Sequence, residues 1–337
     1  MPDIEDYFSH WSAQDHRPTR TPEEGFSQTS IPARITLGRF VALGQHLRHA
    51  PETRLQDLYY FDQKIQKNKT FDFKRVAGLL YNSWNTEYLL RLSEHQRDDY
   101  LRIALHWSFP QAYYCAYLNM HAFFLAKGIL CKTHEAVIRQ FASLVAHKAY
   151  PEVISFHLTG ELDAPGFVHL PHYNPHLKHV ELSPIRSLES VQTSIGNFLR
   201  TTRRERAKQL KEERQSRKNT ALKTKDGHIR TQFQSEHWKI ITDRMGITTV
   251  FDLLYRLRIK ANYQEVDTFI QDQIECRPFY GALRELVAYL NFVHESYTAK
   301  TIGIQRFREL VADFPGRREQ QFVEHRLRKQ IEPLFER

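Results

Sequence analysis

Residues 200–230 concentrate the positive charge of the chain, and clustered lysine and arginine are the side chains that bind phosphate. This segment contains twelve Lys or Arg residues and four acids, and the whole chain carries a formal net charge of +9. Cations at such density neutralise several phosphates, and the counterions they displace make binding salt-dependent. The segment has no Phe, Tyr or Trp, so we expect contacts with the nucleic-acid backbone rather than stacking on bases. The predicted nucleic-acid contacts are Arg203, Arg204, Arg206, Lys208, Lys211, Arg214, Arg217 and Lys218.

A second group of side chains that could do chemistry consists of five histidines between residues 157 and 179. Imidazole binds zinc and nickel, but no cysteine and few carboxylates accompany these side chains. The sequence therefore favours no metal site in this stretch, and no other pattern indicates a cofactor. We expect neither a metal nor a cofactor. The histidines are His157, His169, His172, His176 and His179.

Cysteine usage and the N-terminus predict a cytoplasmic protein. Cys115, Cys131 and Cys276 form no CxxC pair, which fits reduced thiols better than a disulfide framework. The first residues, MPDIEDYFSHW, are acidic and lack the basic and apolar regions of a signal peptide. No window approaches the roughly 18 apolar residues that a membrane span requires, so we expect no membrane contact.

The spacing of apolar residues predicts a mainly α fold. Stripes at three- and four-residue steps run through residues 76–89, 136–145 and 250–257. A helix at 100–106 is predicted to end before a central helix over 111–127, with Pro110 in the first turn of the second helix. Alternating residues with turn signals over 153–173 predict a short β-hairpin.

Two residues are predicted to fix the boundary after the central helix. Gly128 is typical of the left-handed residue that ends a helix, and Ile129 can supply the apolar contact that follows it. Thr133 has the side chain of an N-cap and is predicted to start the next helix at His134.

Residues 112–141, AYYCAYLNMHAFFLAKGILCKTHEAVIRQF, resemble the nucleotidyltransferase-associated branch of the HEPN (higher eukaryotes and prokaryotes nucleotide-binding) family. The shared features are the pair Tyr113-Tyr114, Ala122 before two bulky residues, Lys127-Gly128 and then Lys132-Thr133-His134. Residues 253–263, LLYRLRIKANY, are similar to the Arg-rich helix end and turn of the family.

This resemblance implies a split domain, because the two matching blocks lie close together in the family. We divide the chain into an N-terminal helical attachment at 1–72 and a first part of a HEPN-like bundle at 73–150. An insertion at 151–245 carries the His/Pro-rich loop and the basic arm. Residues 246–337 form the second part of the bundle and the C-terminal helices.

The resemblance also implies a bundle of four or five helices, commonly paired into a dimer, and RNA-directed activity. Many members are metal-independent ribonucleases with an Arg-x4–6-His motif beside an aromatic residue. The His handles a proton of the 2′-OH and the Arg stabilises charge on the phosphate. The motif's Arg corresponds to Arg256 and its aromatic to Tyr263, while Ala261 stands at the His position with Asn262 beside it. His134, one residue after the N-cap, is a candidate to face the same cleft; the alternative is a histidine with a structural role in the cap region, which the position favours.

The leading hypothesis is an RNA-associated protein, an effector or accessory component of a prokaryotic toxin–antitoxin or antiviral defence system, acting as a homodimer. Two alternatives stay open. A catalytically silent module would pair with itself or with a protein encoded in the same operon through the helical core, and its basic arm would dock on an acidic surface. A metal-independent ribonuclease would use the catalytic residues named above.

Overall fold

Helices dominate the structure, a computed structural model that describes residues 31–49, 54–62, 71–177, 187–216, 222–224, 226–228, 230–263, 276–318 and 320–336. The predicted mainly α fold is confirmed. The longer helices are α1 (Ile31–His49), α2 (Phe73–Glu94), α3 (Asp98–Ala126), α4 (His134–Ala146), α5 (Leu188–Ser216), α6 (Ser235–Thr242), α7 (Val250–Tyr263), α8 (Arg277–Ile302), α9 (Ile304–Ala312) and α10 (Gln321–Arg326).

Short elements connect these helices. Single turns form at Leu55–Asp57, Tyr59–Asp62, Glu152–Ser155 and Glu332–Leu334, and a π-helical turn, Leu327–Ile331, continues α10. The predicted hairpin is present as antiparallel strands β1 (His157–Gly160) and β2 (Pro165–Val168), in the register His157 opposite Val168. No helix within the described ranges has the length and apolar content of a bilayer-spanning segment.

The centre of the bundle is α3, which packs against α2, α7 and α8. Its buried side chains occupy most of its circumference, as the sequence of residues 111–127 predicts. The separation into two helices at Pro110 is wrong, because α3 runs unbroken from Asp98 to Ala126. Proline removes one N–H from the helix, but Phe109 and Ala112 on either side are buried, so core packing keeps both halves on one axis.

All four sequence segments contribute to one core. The ring of Phe40 on α1 lies 6.0 Å from Phe109, 5.8 Å from Phe198 and 5.3 Å from Phe279. These rings come from the N-terminal attachment, the first bundle part, the insertion and the second bundle part, in that order. Burial of aromatic rings is among the largest favourable terms in a core. The attachment and the inserted helix α5 are therefore integral to the bundle.

The turn between α3 and α4 has the predicted caps. Gly128 has φ +81°; its N–H donates to Leu125 O at 2.9 Å, and the Ile129 N–H donates to Phe124 O at 2.8 Å. This pair of bonds is the Schellman motif. Thr133 Oγ1 accepts from the Ala136 N–H at 3.1 Å, which caps α4 and makes His134 its first residue.

Candidate functional site

Three helices bring a group of tyrosines, one histidine and one arginine together. Helix α3 supplies the tyrosines that resemble the HEPN pair, the N-terminus of α4 supplies the histidine, and α7 supplies a further tyrosine and the arginine. Side chains far apart in sequence thus meet because α7 packs along α3 and the capped turn folds α4 back. We call this group the tyrosine–histidine–arginine cluster: Tyr113, Tyr114, Tyr117, His134, Tyr255 and Arg258.

The cation of the cluster is Arg258, which is held by aromatic rings. Its Nη2 donates to Tyr114 Oη at 2.7 Å. The guanidinium carbon lies 5.0 Å from the ring centroid of Tyr114, 5.6 Å from Tyr113 and 5.8 Å from Tyr255, within the range of cation–π attraction. Among the described residues, no carboxylate forms an ion pair with Arg258. Within the described part of the chain, its positive charge is therefore not neutralised by an acid.

His134 lies against the same rings. Its Nδ1 shares a hydrogen bond of 2.8 Å with Tyr113 Oη, and its ring centroid is 4.3 Å from that of Tyr117. Partial burial and, next, the charge of Arg258 lower the pKa of His134 below its ordinary value of 6.5. The imidazole is accordingly neutral at pH 7. In the tautomer whose Nδ1–H donates to Tyr113 Oη, Nε2 carries a lone pair.

Arg256, the residue matched to the family motif, points towards α5 and not into the cluster. Its guanidinium donates to Thr201 Oγ1 and Thr202 Oγ1 at 2.9 Å each. It also forms a two-pronged ion pair with Glu205, with both N···O distances 2.6 Å. Only 14% of its side chain is exposed. These contacts tie α7 to α5, so the guanidinium of Arg256 is used within the bundle.

Of the other predicted catalytic residues, the structure describes the side chain of His134 but not those of Asn262 and Tyr263. His134 is in the cluster. Ala261, Asn262 and Tyr263 form the last turn of α7, but their side chains lie outside the described part of the chain. Tyr255 and Tyr117 are cluster residues that sequence reasoning missed. Tyr255 stands three residues before Arg258, the spacing that puts two side chains on one helix face, and this was the available signal.

The basic segment is a packed helix over its first half. The inner face of α5 is buried at Phe198, Leu199 and Ala207. Arg203 is also buried, and its guanidinium donates to Gly160 O at 2.7 Å and Gly246 O at 2.8 Å. Buried donors need such acceptors, so this arginine joins β1 to the loop before α7. It is not placed to meet a phosphate.

The remaining cations of the segment have different surroundings. Arg204 and Lys208 are exposed. Arg206 pairs with Glu135 at 3.0 Å, which brings α5 beside the first turn of α4 and hence beside His134. Lys211 lies 4.4 Å above the ring of Phe233. The side chain of Arg214, and Arg217 and Lys218 as a whole, lie outside the described residues.

The histidine stretch does not form a metal centre in the described chain. No three His, Cys, Asp or Glu side chains there are grouped so that they could hold an ion. His169 and His172 instead line a cavity of about 620 Å³ together with His46 and His49 of α1. His157 packs 6.5 Å from His169, centroid to centroid, and His179 lies outside the described residues.

Comparison with known proteins finds no similar protein. No family model, no curated protein and no solved structure matches the chain. The HEPN resemblance stays a prediction that rests on the motifs quoted above.

Proposed function

We propose that the protein binds RNA at the tyrosine–histidine–arginine cluster. The observation that carries the proposal is Arg258, a cation without a described carboxylate partner, fixed by Tyr114 beside a neutral His134. An arginine of this kind suits phosphate, because its planar group offers several donors and stays charged. The partly exposed rings of Tyr114 and Tyr255 beside it provide faces on which unpaired bases stack. The system in which such binding operates, toxin–antitoxin or antiviral, is a further expectation from the resemblance.

The exposed cations of α5 extend this surface. Arg204 and Lys208 are solvent-exposed, and the Arg206–Glu135 pair fixes their helix next to α4. Lys132, two residues before His134, is exposed as well. We assign these cations the salt-dependent, sequence-independent part of binding. The cluster would then contribute the preference for single-stranded over double-stranded RNA.

A titration with fluorescent single-stranded RNA tests the proposal. The Arg258→Gln variant should bind about tenfold more weakly, because a charge-assisted hydrogen bond to phosphate is removed. Arg139→Gln, which removes an exposed arginine on α4, is the matched control and should bind like the unaltered protein. Absence of RNA binding at low salt would refute the proposal, and so would equal affinities of the two variants.

A second candidate, a metal-independent ribonuclease, is favoured by the lowered pKa of His134 beside Arg258, which has no carboxylate partner in the described chain. Nε2 of His134 would take the proton of the 2′-OH, and the 2′-oxygen would attack phosphorus while Arg258 stabilises charge on the phosphoryl oxygens. The 5′-oxygen would leave with a proton returned by the imidazolium or water, which yields a 2′,3′-cyclic phosphate and a 5′-hydroxyl. His134→Gln should abolish cleavage but not binding, and a chelator should change neither.

A catalytically silent interaction module is supported by a different observation. Five large apolar side chains are exposed on the last two turns of α2 and the first three turns of α3, and exposed apolar side chains often mark contacts between proteins. We propose a second copy of the chain as the occupant, in keeping with the expected homodimer. Light scattering should give a dimer that Ile103→Glu dissociates. The side chains are Leu89, Leu92, Tyr100, Ile103 and Trp107.

A further inference from the structure

Two cavities lie side by side along the C-terminal segment formed by α10 and the π-helical turn. One has a volume of about 410 Å³ and the other about 550 Å³. His325 lines both cavities, so they adjoin at this side chain. Each volume is in the range of small-molecule sites. We call the two together the C-terminal groove; it shares no residue with the tyrosine–histidine–arginine cluster.

The larger cavity is open and cationic. Arg317, Arg318 and Lys329 line it, are exposed, and form no ion pair with any carboxylate of the described residues. Arg328 also lines it and pairs with Glu324 at 2.5 Å. Three cations without a carboxylate partner among the described residues, around one concave surface, create a local positive potential that attracts phosphate.

The smaller cavity has aromatic walls and cations that are held in place. Phe322, Tyr289 and Phe292 line it. The guanidinium of Arg91 lies 4.4 Å above the Phe322 ring, and its Nη2 is fixed by Glu87 at 2.7 Å.

Arg48, on the same wall, is fixed by Glu285 at 2.7 Å. Each of these two arginines keeps N–H donors that its carboxylate does not use. Cations immobilised in advance lose less side-chain entropy when a ligand binds.

The base of the groove is rigid because Arg326 is anchored in the core. Its guanidinium pairs with Glu295 at 2.6 Å and with Glu87, and all three side chains are almost completely buried. Burial of charged groups is tolerated only when they are paired and hydrogen-bonded in this way. The network fixes α10 against α2 and α8, and thereby fixes the position of Phe322 and of the exposed cations beyond it.

We infer that the C-terminal groove is a second binding site for single-stranded RNA, in which phosphates contact Arg317, Arg318 and Lys329 and a base enters the aromatic cavity. A basic channel with adjacent aromatic faces is how single strands are held without sequence reading. An acidic peptide would satisfy the cations but would leave the aromatic cavity without a flat ligand. The inference rests on the proposed function and adds a site that the sequence segment 200–230 does not contain.

Charge reversal within the groove tests the inference. The double variant Arg317→Glu/Arg318→Glu should bind a fluorescent oligouridylate about tenfold more weakly and flatten the dependence of log K on log salt by about 0.7 for each phosphate that is no longer neutralised. The matched control, Lys239→Glu/Arg244→Glu, reverses two exposed cations at the end of α6 and should change both quantities little. Phe322→Leu should weaken binding without altering the salt slope.

Two competitors identify which part of the ligand the groove recognises. Uridine monophosphate should displace the oligonucleotide more effectively than inorganic phosphate at equal ionic strength, if base and phosphate are both bound. Equal competition by inorganic phosphate would reduce the groove to an anion site and overturn the assignment to RNA. Tighter binding of polyglutamate than of oligouridylate at this site would overturn it as well.

The outcomes separate this inference from the proposed function. If Arg317→Glu/Arg318→Glu binds like its control while Arg258→Gln loses affinity, the groove is not an RNA site although the protein still binds RNA. If the unaltered protein fails to bind RNA at low salt, the proposed function itself fails. If the groove variant loses affinity and Arg258→Gln does not, the groove alone is supported.

Discussion

Arg256 and Arg258 stand two residues apart on α7, yet their side chains serve different purposes. Arg256 reaches α5 and is neutralised by Glu205, whereas Arg258 reaches α3 and lies among tyrosine rings. Residues two apart on a helix point in very different directions, so a motif assigned with an error of two positions selects the wrong side chain. The match to Arg256 therefore selects α7 but a side chain that lies outside the cluster.

The structural role of Arg256 predicts a loss of stability when it is removed. Arg256→Leu should lower the free energy of unfolding by roughly 1–3 kcal/mol, since Glu205, Thr201 and Thr202 lose a charged donor. Urea denaturation measures the loss. The double variant Arg256→Leu/Glu205→Leu should recover part of it, because no lone carboxylate remains; a double variant less stable than the single one would contradict this role.

The pKa of His134 tests the geometry of the cluster. We expect NMR titration to give a value below 6.5, because burial and the charge of Arg258 both disfavour the imidazolium. Arg258→Gln should raise it by removing the second cause. A pKa of His134 that stays constant in Arg258→Gln would mean that the two side chains do not interact.

Arg326 should be among the most sensitive positions. Arg326→Met leaves Glu87 and Glu295 buried without their main cation and should cost roughly 3–5 kcal/mol. Burial raises the pKa of Glu295, so its protonation relieves that cost. The stability of Arg326→Met relative to the unaltered protein should therefore increase as the pH falls from 7 towards 5, in urea melts at both pH values. If the difference in stability between Arg326→Met and the unaltered protein does not change with pH, the burial of Glu295 beside Arg326 is contradicted.

At the scale of helices, much could be predicted from the sequence. The caps at Gly128 and Thr133, the hairpin and the apolar stripes follow local rules, and local rules are visible in a linear sequence. The continuity of α3 through Pro110 and the packing of α5 could not be predicted. Both depend on tertiary burial, which overrides local propensity. Arg203 illustrates the point, because only the fold reveals the two carbonyl groups it serves.

Close packing of α1 on α8 gives a prediction at the same scale. A Cβ at Gly44 would lie 2.7 Å from Ala282 Cβ and 3.0 Å from its Cα, so Gly44→Ala should destabilise the protein by on the order of 1–3 kcal/mol. At Gly78 on α2, no atom lies within 4 Å of the position that a Cβ would take. Gly78→Ala is the control and should stabilise by about 0.5–1 kcal/mol. Similar melting curves for the two variants would contradict the packing.

At the scale of the whole molecule, buried imidazoles should make stability depend on pH. Burial lowers the pKa of His46 from 6.5 to about 4, so between these values the unfolded chain binds a proton that the folded chain does not. The contribution of His46 is present above pH 6.5 and is lost as the pH falls towards 4, by roughly 3 kcal/mol in total. His46→Leu should show a correspondingly smaller loss in urea melts between pH 7 and pH 4, and an unchanged loss would contradict the burial.

The molecule as a whole presents two candidate RNA surfaces on a rigid bundle. The positive charge of residues 200–230 predicts α5 as one RNA surface, but Arg203 is buried there and Arg206 is paired with Glu135. The C-terminal groove is formed by α1, α2, α8 and the segment that follows α9. Its cations are dispersed along the sequence, so only the fold could bring them together.

Photochemical cross-linking of bound RNA, mapped by mass spectrometry of the peptides, tests the central claim most directly. We predict adducts at Tyr114 or Tyr255, because these two rings are partly exposed and can stack on bases, and we predict that Arg258→Gln reduces them. Bound RNA that cross-links only to other parts of the chain, or adducts that Arg258→Gln leaves unchanged, would contradict the assignment of RNA binding to the tyrosine–histidine–arginine cluster.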